Sequence, residues 1–527
     1  MFDLVISNGN IIDGSGRLPY MGSIGIKGDM ILKIEPGTSL SGERVINVEG
    51  MVVSPGFVDI HGHSDYFLLV NPQAESKVRQ GVTTEIGGNC GYSAAPIFGE
   101  EAYEREDEYR KQFSLDLNWH TIKEYGDLLE RIGISMNFAI LLGHNTIRAS
   151  VMGKKDRRPS KRELEDMCNV VAKGMEEGAF GLSTGLIYSP AIFSEIDEMV
   201  ALNKVVKKHK GIFTTHMRSE GDLVLEAIDE VIEVARRANV PLQISHIKTS
   251  RKRNWNKLDR MFQVIESAID EGLDVTCDRY PYIASNTGLQ SILPDWAIEG
   301  DKGTRINRLS DKGVRGKIKE EIEKKNNEPN YWKTIVISML VSEKNKKYEG
   351  ISIAEASSKV GKEPFDFTMD ILIEEEMDIS ANYFIMSEEN LVKIFKKPYI
   401  MIGSDSACRA DYGPLAEGSP HPRAFGTFPR VLGIYVREKG VMDLSTAVKK
   451  MTADPCRKLG IQKRGELKEG FYADLVIFNP DTVVDRATFS EPVQYPEGIE
   501  YVIINGDITV NKGEHTGCKS GRVLRKI

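Results

Sequence analysis

The 527-residue chain nowhere runs to eighteen uninterrupted apolar residues, so the sequence predicts no helical membrane span. Its first residues, Met1 to Gly9, lack the basic start and long apolar stretch of an export signal, so no export is expected. Cysteine is sparse: Cys90, Cys168, Cys277, Cys408, Cys456 and Cys518 lie far apart with no CxxC pair. That spacing excludes a disulfide framework and a zinc ribbon and fits a reducing, cytoplasmic setting. Positive charge is not in excess. With 69 Lys+Arg against 77 Asp+Glu, a net charge of −8 argues against nucleic acid or an anionic membrane as partner. A composition 41% hydrophobic and 8% aromatic is ordinary for one large globular domain with extras, and small molecules are the expected ligands.

Asn8-Gly9 and Asn505-Gly506 each sit between apolar residues, and each reads as a hairpin with a tight primed turn. Further strands are expected at Gly22–Ile26, Met30–Ile34, Val45–Val53 and Asp474–Phe478. Neither terminal set can bury an apolar face alone, so residues 1–54 and 464–527 are expected to combine in a small β-sandwich module. Between Pro55 and Lys463 short apolar runs alternate with amphipathic segments. The runs are Phe57–Ile60, Thr83–Gly88, Asn137–Leu142, Phe180–Ser183, Ile212–Thr215, Leu242–Ser245, Asp274–Cys277 and Tyr399–Gly403. Ser160 and Glu163 form a capping box ahead of Met167, Val170, Val171 and Met175 at helical spacing. Eight strand-then-helix units predict an α/β fold, a TIM-like (β/α)₈ barrel over 55–463. The seventh and eighth runs are widely separated, and the charged stretch of about 286–342 between them reads as an inserted lid.

His61-Gly62-His63 follows the first run, and side chains two apart on a strand project to one side. Nine histidines in this length give roughly 0.15 such pairs by chance, so spacing alone decides little. Position adds the information. His216, His246, Asp405 and Cys90 each end a different run, which places six metal-competent groups at the C-terminal tips of barrel strands, the face where such barrels carry their sites. Thiolate with imidazole favours zinc over magnesium or calcium. The flanks of Cys90, Gly87-Gly88-Asn89-Cys90-Gly91, suit a tight loop presenting one side chain, whereas Cys168 and Cys277 read as core. His120, His209 and His515 lie in helical or tail contexts and are read as surface residues.

The sequence resembles the D-aminoacylase (N-acyl-D-amino-acid deacylase) branch of the metal-dependent amidohydrolases over nearly its whole length. Gly88-Asn89-Cys90-Gly91, and His421-Pro422-Arg423 followed by Gly426-Thr427-Phe428-Pro429-Arg430, are particular to that branch. Pro55-Gly56-Phe57-Val58-Asp59-Ile60-His61-Gly62-His63 and Gly470-Phe471-Tyr472-Ala473-Asp474-Leu475-Val476 are marks of the wider superfamily. The resemblance implies that Cys90, His216 and His246 hold the tighter zinc. His61, His63 and Asp405 would then line a second, weaker position sharing the Cys90 sulfur. It also implies hydrolysis of the acyl amide of N-acyl-D-amino acids, with Asp405 carrying the proton from attacking water to departing amine. Arg423 offers a planar fork for the substrate α-carboxylate. Lys248 and Tyr280 are implied beside it, with Asn286 where the branch has serine. His144 is expected to place substrate or line the pocket, and Glu85 stands where the branch is apolar. In the cyclic-amide relatives a carboxylated lysine comes from the fourth strand. Phe180–Leu186 has no lysine, so a hydantoinase-like activity is the runner-up and a non-catalytic binding relative a third reading.

Overall fold

The eight apolar runs form eight parallel strands, seen in a computed structural model that describes residues 1–37, 40–326 and 328–526. Strands covered by helices must be apolar on both faces, and Val82–Gly87, Gly181–Gly185 and Ile212–His216 are buried throughout. Phe57–Asp59, Val82–Gly87 and Asn137–Ile140 pair in that order. The third strand breaks at Leu141 and resumes at Leu142–Gly143, which pairs with Gly181–Gly185. From there the ladder runs through Ile212–His216, Leu242–Ile244 and Val275–Arg279 to Ile400–Ile402. It closes on the first strand through a Gly62–Ser406 bridge and a 2.7 Å hydrogen bond from the Asp405 amide to the His61 carbonyl. The result is a (β/α)₈ barrel. Helix Lys161–Glu176 opens with the Ser160–Glu163 capping box and buries Met167, Val171 and Met175 against the barrel. Cys277 is buried, whereas Cys168, on the flank of that helix, is only half-buried.

The two chain ends join in one nine-stranded sheet: Leu475–Phe478 pairs with Val52–Pro55, which lies alongside Phe2–Ile11. Met30 bridges back to Tyr472, so the sheet folds over a core of Leu4, Ile24, Ile31, Val53, Leu475 and Ile503. Asn505 (φ 50°) and Gly506 (φ 89°) form the expected primed turn between Ile499–Ile504 and Asp507–Asn511. Asn8-Gly9 does not. Asn8 (φ 60°) lies inside the single strand Phe2–Ile11, at a register shift against Tyr20–Lys27, and is a bulge. Only Asn10, Ile11 and Ile12 separate it from the glycine-containing loop at Asp13, too short an arm to pair back. The expected strand Val45–Val53 is likewise two, Gly42–Asn47 and Val52–Pro55, both parallel to the first.

The insertion reaches further than the charged stretch that marked it. Ser285–Gly288, Ile335–Met339 and Ser380–Tyr383 form an antiparallel sheet whose central strand is the last of these, beyond Ser342. Among the described residues four α-helices pack with it around a separate core that includes Leu309, Ile318, Ile337, Phe365 and Leu372. Among the described residues no helix is long and apolar enough to cross a membrane.

Candidate metal centre

His61 and His63 lie on the turn after the first barrel strand. Gly62 between them is obligatory, because a Cβ there would fall 2.2 Å from the Glu85 side chain. The His61 Nε2 is 3.2 Å from Cys90 Sγ and 3.4 Å from Asp405 Oδ1, and His63 Nε2 is 3.1 Å from the same Asp405 oxygen. Cys90 Sγ is also 3.5 Å from His246 Nε2. The donors form two overlapping sets, His61, His63, Cys90 and Asp405 in one, Cys90, His216 and His246 in the other, each within 4.8 Å. Both ring nitrogens of His216 are buried without a hydrogen-bond partner. Buried polar atoms are rarely left so, and the donor set fits a metal that His216 would ligate.

The backbone is strained at this centre. Cys90 (φ 53°), His246 (φ 35°) and Asp405 (φ 52°) all occupy the left-handed region that non-glycine residues avoid. At Cys90 the turn is built by its neighbours: a Cβ on Gly88 would lie 2.1 Å from the Leu141 carbonyl oxygen, and one on Gly91 1.8 Å from the Asn145 side chain. Asn89 fixes the loop by donating to the Ile86 carbonyl at 2.9 Å.

The electrostatics favour bound cations. Burial pushes the Cys90 thiol up, but His61 and His246 overcome it and hold the thiol well below its ordinary value. Burial opposes protonation of His246, as does Lys248, yet Glu220, Asp405 and Cys90 raise it to about 9. His63 likewise reaches about 9 against burial, through Asp405 and Cys90. His216 is lowered by burial and by His246. Burial pushes Asp405 up, and Arg423, His246 and His61 more than reverse it, keeping the carboxylate ionised.

A second layer orients the donors. Asp278 lies 3.0 Å from His61 Nδ1 and accepts from the His246 amide at 2.8 Å. Glu220 lies 2.9 Å from His246 Nδ1. Beneath both ligand-bearing turns, the fully buried Lys77 ammonium meets Asp59 at 2.6 Å, Ser404 Oγ at 2.7 Å and Glu85 at 3.1 Å. Glu85 in turn accepts from the Ser64 amide at 2.9 Å. Sequence reasoning missed Asp59, Lys77, Glu220 and Asp278. Only Lys77 had a signal, the misplaced carboxylate at Glu85, since it needs a buried cation nearby.

A cavity of about 1230 Å³ opens over the donors, walled by the barrel loops and the insertion. Arg423 donates to Asp405 Oδ2 at 2.6 Å and lies over the Tyr280 ring, 4.7 Å from its centroid. The Tyr280 hydroxyl is buried and free of partners. Lys248 reaches His246 Nδ1 at 2.9 Å and pairs with Glu220. Asn286 lines the cavity, though its amide is spent on Ser338 at 2.8 Å and Asn382 at 2.9 Å within the insertion sheet. His144 lies elsewhere. It begins helix His144–Met152, is fully buried, and its Nε2 is 2.8 Å from Glu198, which also holds Arg148. The third strand ends in a helix whose first turn packs behind the barrel wall, so its leading histidine is drawn into an interior ion cluster.

The family model described as "Amidohydrolase family" matches residues 44–316 and 406–510, and the chain belongs to that family. The D-aminoacylase of Alcaligenes xylosoxydans xylosoxydans is 33% identical, over 100% of this chain and 98% of its own length. A solved N-acyl-D-glutamate deacylase from Bordetella bronchiseptica, complexed with zinc and a phosphonate mimic of the tetrahedral intermediate, is 30% identical. It covers 99% of each chain with a TM-score of 0.84. A solved D-aminoacylase with a binuclear metal centre, described by one-metal activation and second-metal attenuation, is 32% identical, covers 100% of each chain and has a TM-score of 0.84. An L-hydantoinase from Arthrobacter aurescens shares the fold alone, at 16% identity and a TM-score of 0.56.

Proposed function

We propose that this chain hydrolyses the acyl amide bond of N-acyl-D-amino acids, giving a D-amino acid and a carboxylate, with zinc as its cofactor. The observation that carries the reading is the pair of donor clusters sharing the Cys90 sulfur at the floor of the cavity. Cys90, His216 and His246 would hold one ion tightly. His61, His63 and Asp405 would hold a second more weakly, because their only soft donor is shared. The preference for D-amino acids is supported by the full-length relatives, and no hydantoinase-like lysine stands in Gly181–Gly185.

When bound, zinc would supply the Lewis acidity that polarises the acyl oxygen and brings the pKa of water down towards 7. Asp405 takes the proton of the attacking water, its carboxylate already aimed by Arg423 at one oxygen and by His63 at the other. It then returns that proton to the amine, which cannot leave as an anion. Arg423 and Lys248 present cations for the α-carboxylate, both near the Tyr280 ring, at 4.7 Å and 5.9 Å from its centroid, and the Tyr280 hydroxyl has no partner of its own. Six free cysteines support a reducing cytosol as the setting. The test is acetate release from N-acetyl-D- and N-acetyl-L-amino acids before and after stringent chelation and zinc return. Release from the D series that disappears with the metal is expected. Indifference to both metal and acetylated amino acids would overturn the reading.

A further inference from the structure

Arg409 is a buried cation with no carboxylate in direct contact. It is 7% exposed and follows Asp405, Ser406 and Ala407 along the loop after the eighth barrel strand, and all four residues line the cavity. Its backbone is fixed on both sides by Ser76, whose Oγ accepts from the Arg409 amide at 2.8 Å and whose own amide donates to the Arg409 carbonyl at 3.0 Å. Its Nη2 donates to the Glu417 carbonyl at 2.6 Å, while its Nε is buried with no acceptor. The other buried basic side chains on the cavity wall, Lys248 and Arg423, each stand beside a carboxylate of the protein, Glu220 and Asp405. Among the described residues lining the cavity, Arg409 alone combines burial with the lack of a carboxylate oxygen within 4.0 Å.

Burying a charge is costly unless it is paired, and a guanidinium left with one carbonyl and open N–H groups marks a place where an anion arrives from outside. Burial draws Arg409 down from its ordinary value to about 10, only partly offset by Cys408, Glu349 and Glu417, so it keeps its charge at neutral pH. Four Cα-to-Cα steps separate Asp405 from Arg409 by at most ~14 Å, within reach of a substrate seated at Asp405 given the length of an arginine side chain. Arg279, the other buried arginine with open N–H groups, does not line the cavity; it stacks on Tyr280 at 4.1 Å and donates to the Tyr282 carbonyl.

We propose that Arg409 receives a second carboxylate of the substrate, beyond the α-carboxylate, so that the preferred substrates are dicarboxylic N-acyl amino acids. This rests on the deacylase reading above. The second carboxylate comes either from an acidic amino-acid side chain or from a dicarboxylic acyl group, and the same chemistry recognises both. The test compares kcat/KM for N-acetyl-D-glutamate, N-succinyl-D-norvaline and N-acetyl-D-norvaline in the zinc-loaded wild type and Arg409→Gln. The ratio of one acidic substrate to N-acetyl-D-norvaline is expected to fall ~10–100-fold in the variant, through KM, as loss of a charge-assisted hydrogen bond implies. A fall for glutamate assigns the carboxylate to the side chain, and a fall for the succinyl compound assigns it to the acyl group. Unchanged ratios for both overturn the proposal. Calorimetry of glutarate against butyrate on the zinc-loaded wild type reads the subsite without turnover and without relying on the variant to fold. Tighter glutarate binding is expected and equal binding refutes the subsite, whereas failure to hydrolyse any of the three amides counts against the deacylase reading instead.

Discussion

Replacing Lys77 by Met would remove the one cation from a fully buried cluster and leave Asp59 and Glu85 facing each other without it. All three side chains are sealed from solvent, so water cannot take over the lost interaction. Breaking a buried ion pair by deleting one partner costs about 3–5 kcal/mol, a large share of the 5–15 kcal/mol typical of a native protein. The damage would be directional. Asp59 also accepts from the Ser404 amide at 2.9 Å and the His61 amide at 3.2 Å, and Glu85 from Ser64. The cluster therefore fixes the turns bearing His61, His63 and Asp405, while Cys90, His216 and His246 hang on other loops. Urea unfolding of chelated protein, which removes metal linkage from the comparison, should show the full loss for Lys77→Met. Glu85→Gln, which keeps an acceptor for Ser64, should lose a smaller ~1–3 kcal/mol. In both variants zinc bound per chain should drop at the weaker position first. A Lys77→Met protein within ~1 kcal/mol of wild type would refute the reasoning, because an uncompensated pair of buried carboxylates cannot be that cheap.

Asp405→Asn is expected to abolish turnover while equilibrium dialysis still finds one zinc per chain, since Cys90, His216 and His246 are untouched; retained turnover would remove Asp405 from proton transfer. Arg423→Ala should raise KM by ~10-fold or more for substrates with a free α-carboxylate, and equal losses on carboxamide analogues would refute its assignment. His63 and His246 are raised to about 9 and must shed their protons to ligate. Zinc affinity should therefore climb with pH until about 9, with protons released on metal addition at pH 7.5; an affinity flat from pH 7 to 9 would contradict this.

The barrel was legible in the sequence because strands buried on both faces leave unbroken apolar runs, and the groups closing those runs announced the metal-bearing face. What the linear pattern could not show was set by partners distant in the chain. Lys77 reads as one more surface lysine on a short helix until Asp59, Glu85 and Ser404 enclose it. Asn8-Gly9 carries the local chemistry of a hairpin, and only the shortness of the following arm and the pairing with Tyr20–Lys27 make it a bulge. His144 ends its run as His216 and His246 do, yet Glu198, 54 residues later, captures it. The end of the insertion was invisible because Ser380–Tyr383, its central strand, is too short to stand out against the helices around it.

The pairing of Val52–Pro55 with Leu475–Phe478 has a consequence for biosynthesis. About 420 residues are translated between these partners, roughly 20–80 s at ordinary ribosomal speeds. Throughout that interval the nascent chain carries an unfinished sheet with an adhesive margin, and the barrel must assemble inside a clasp whose second half is still unmade. Selection on codon tempo, or on early capture by a ribosome-associated chaperone, would act on this stretch of waiting rather than on the barrel itself.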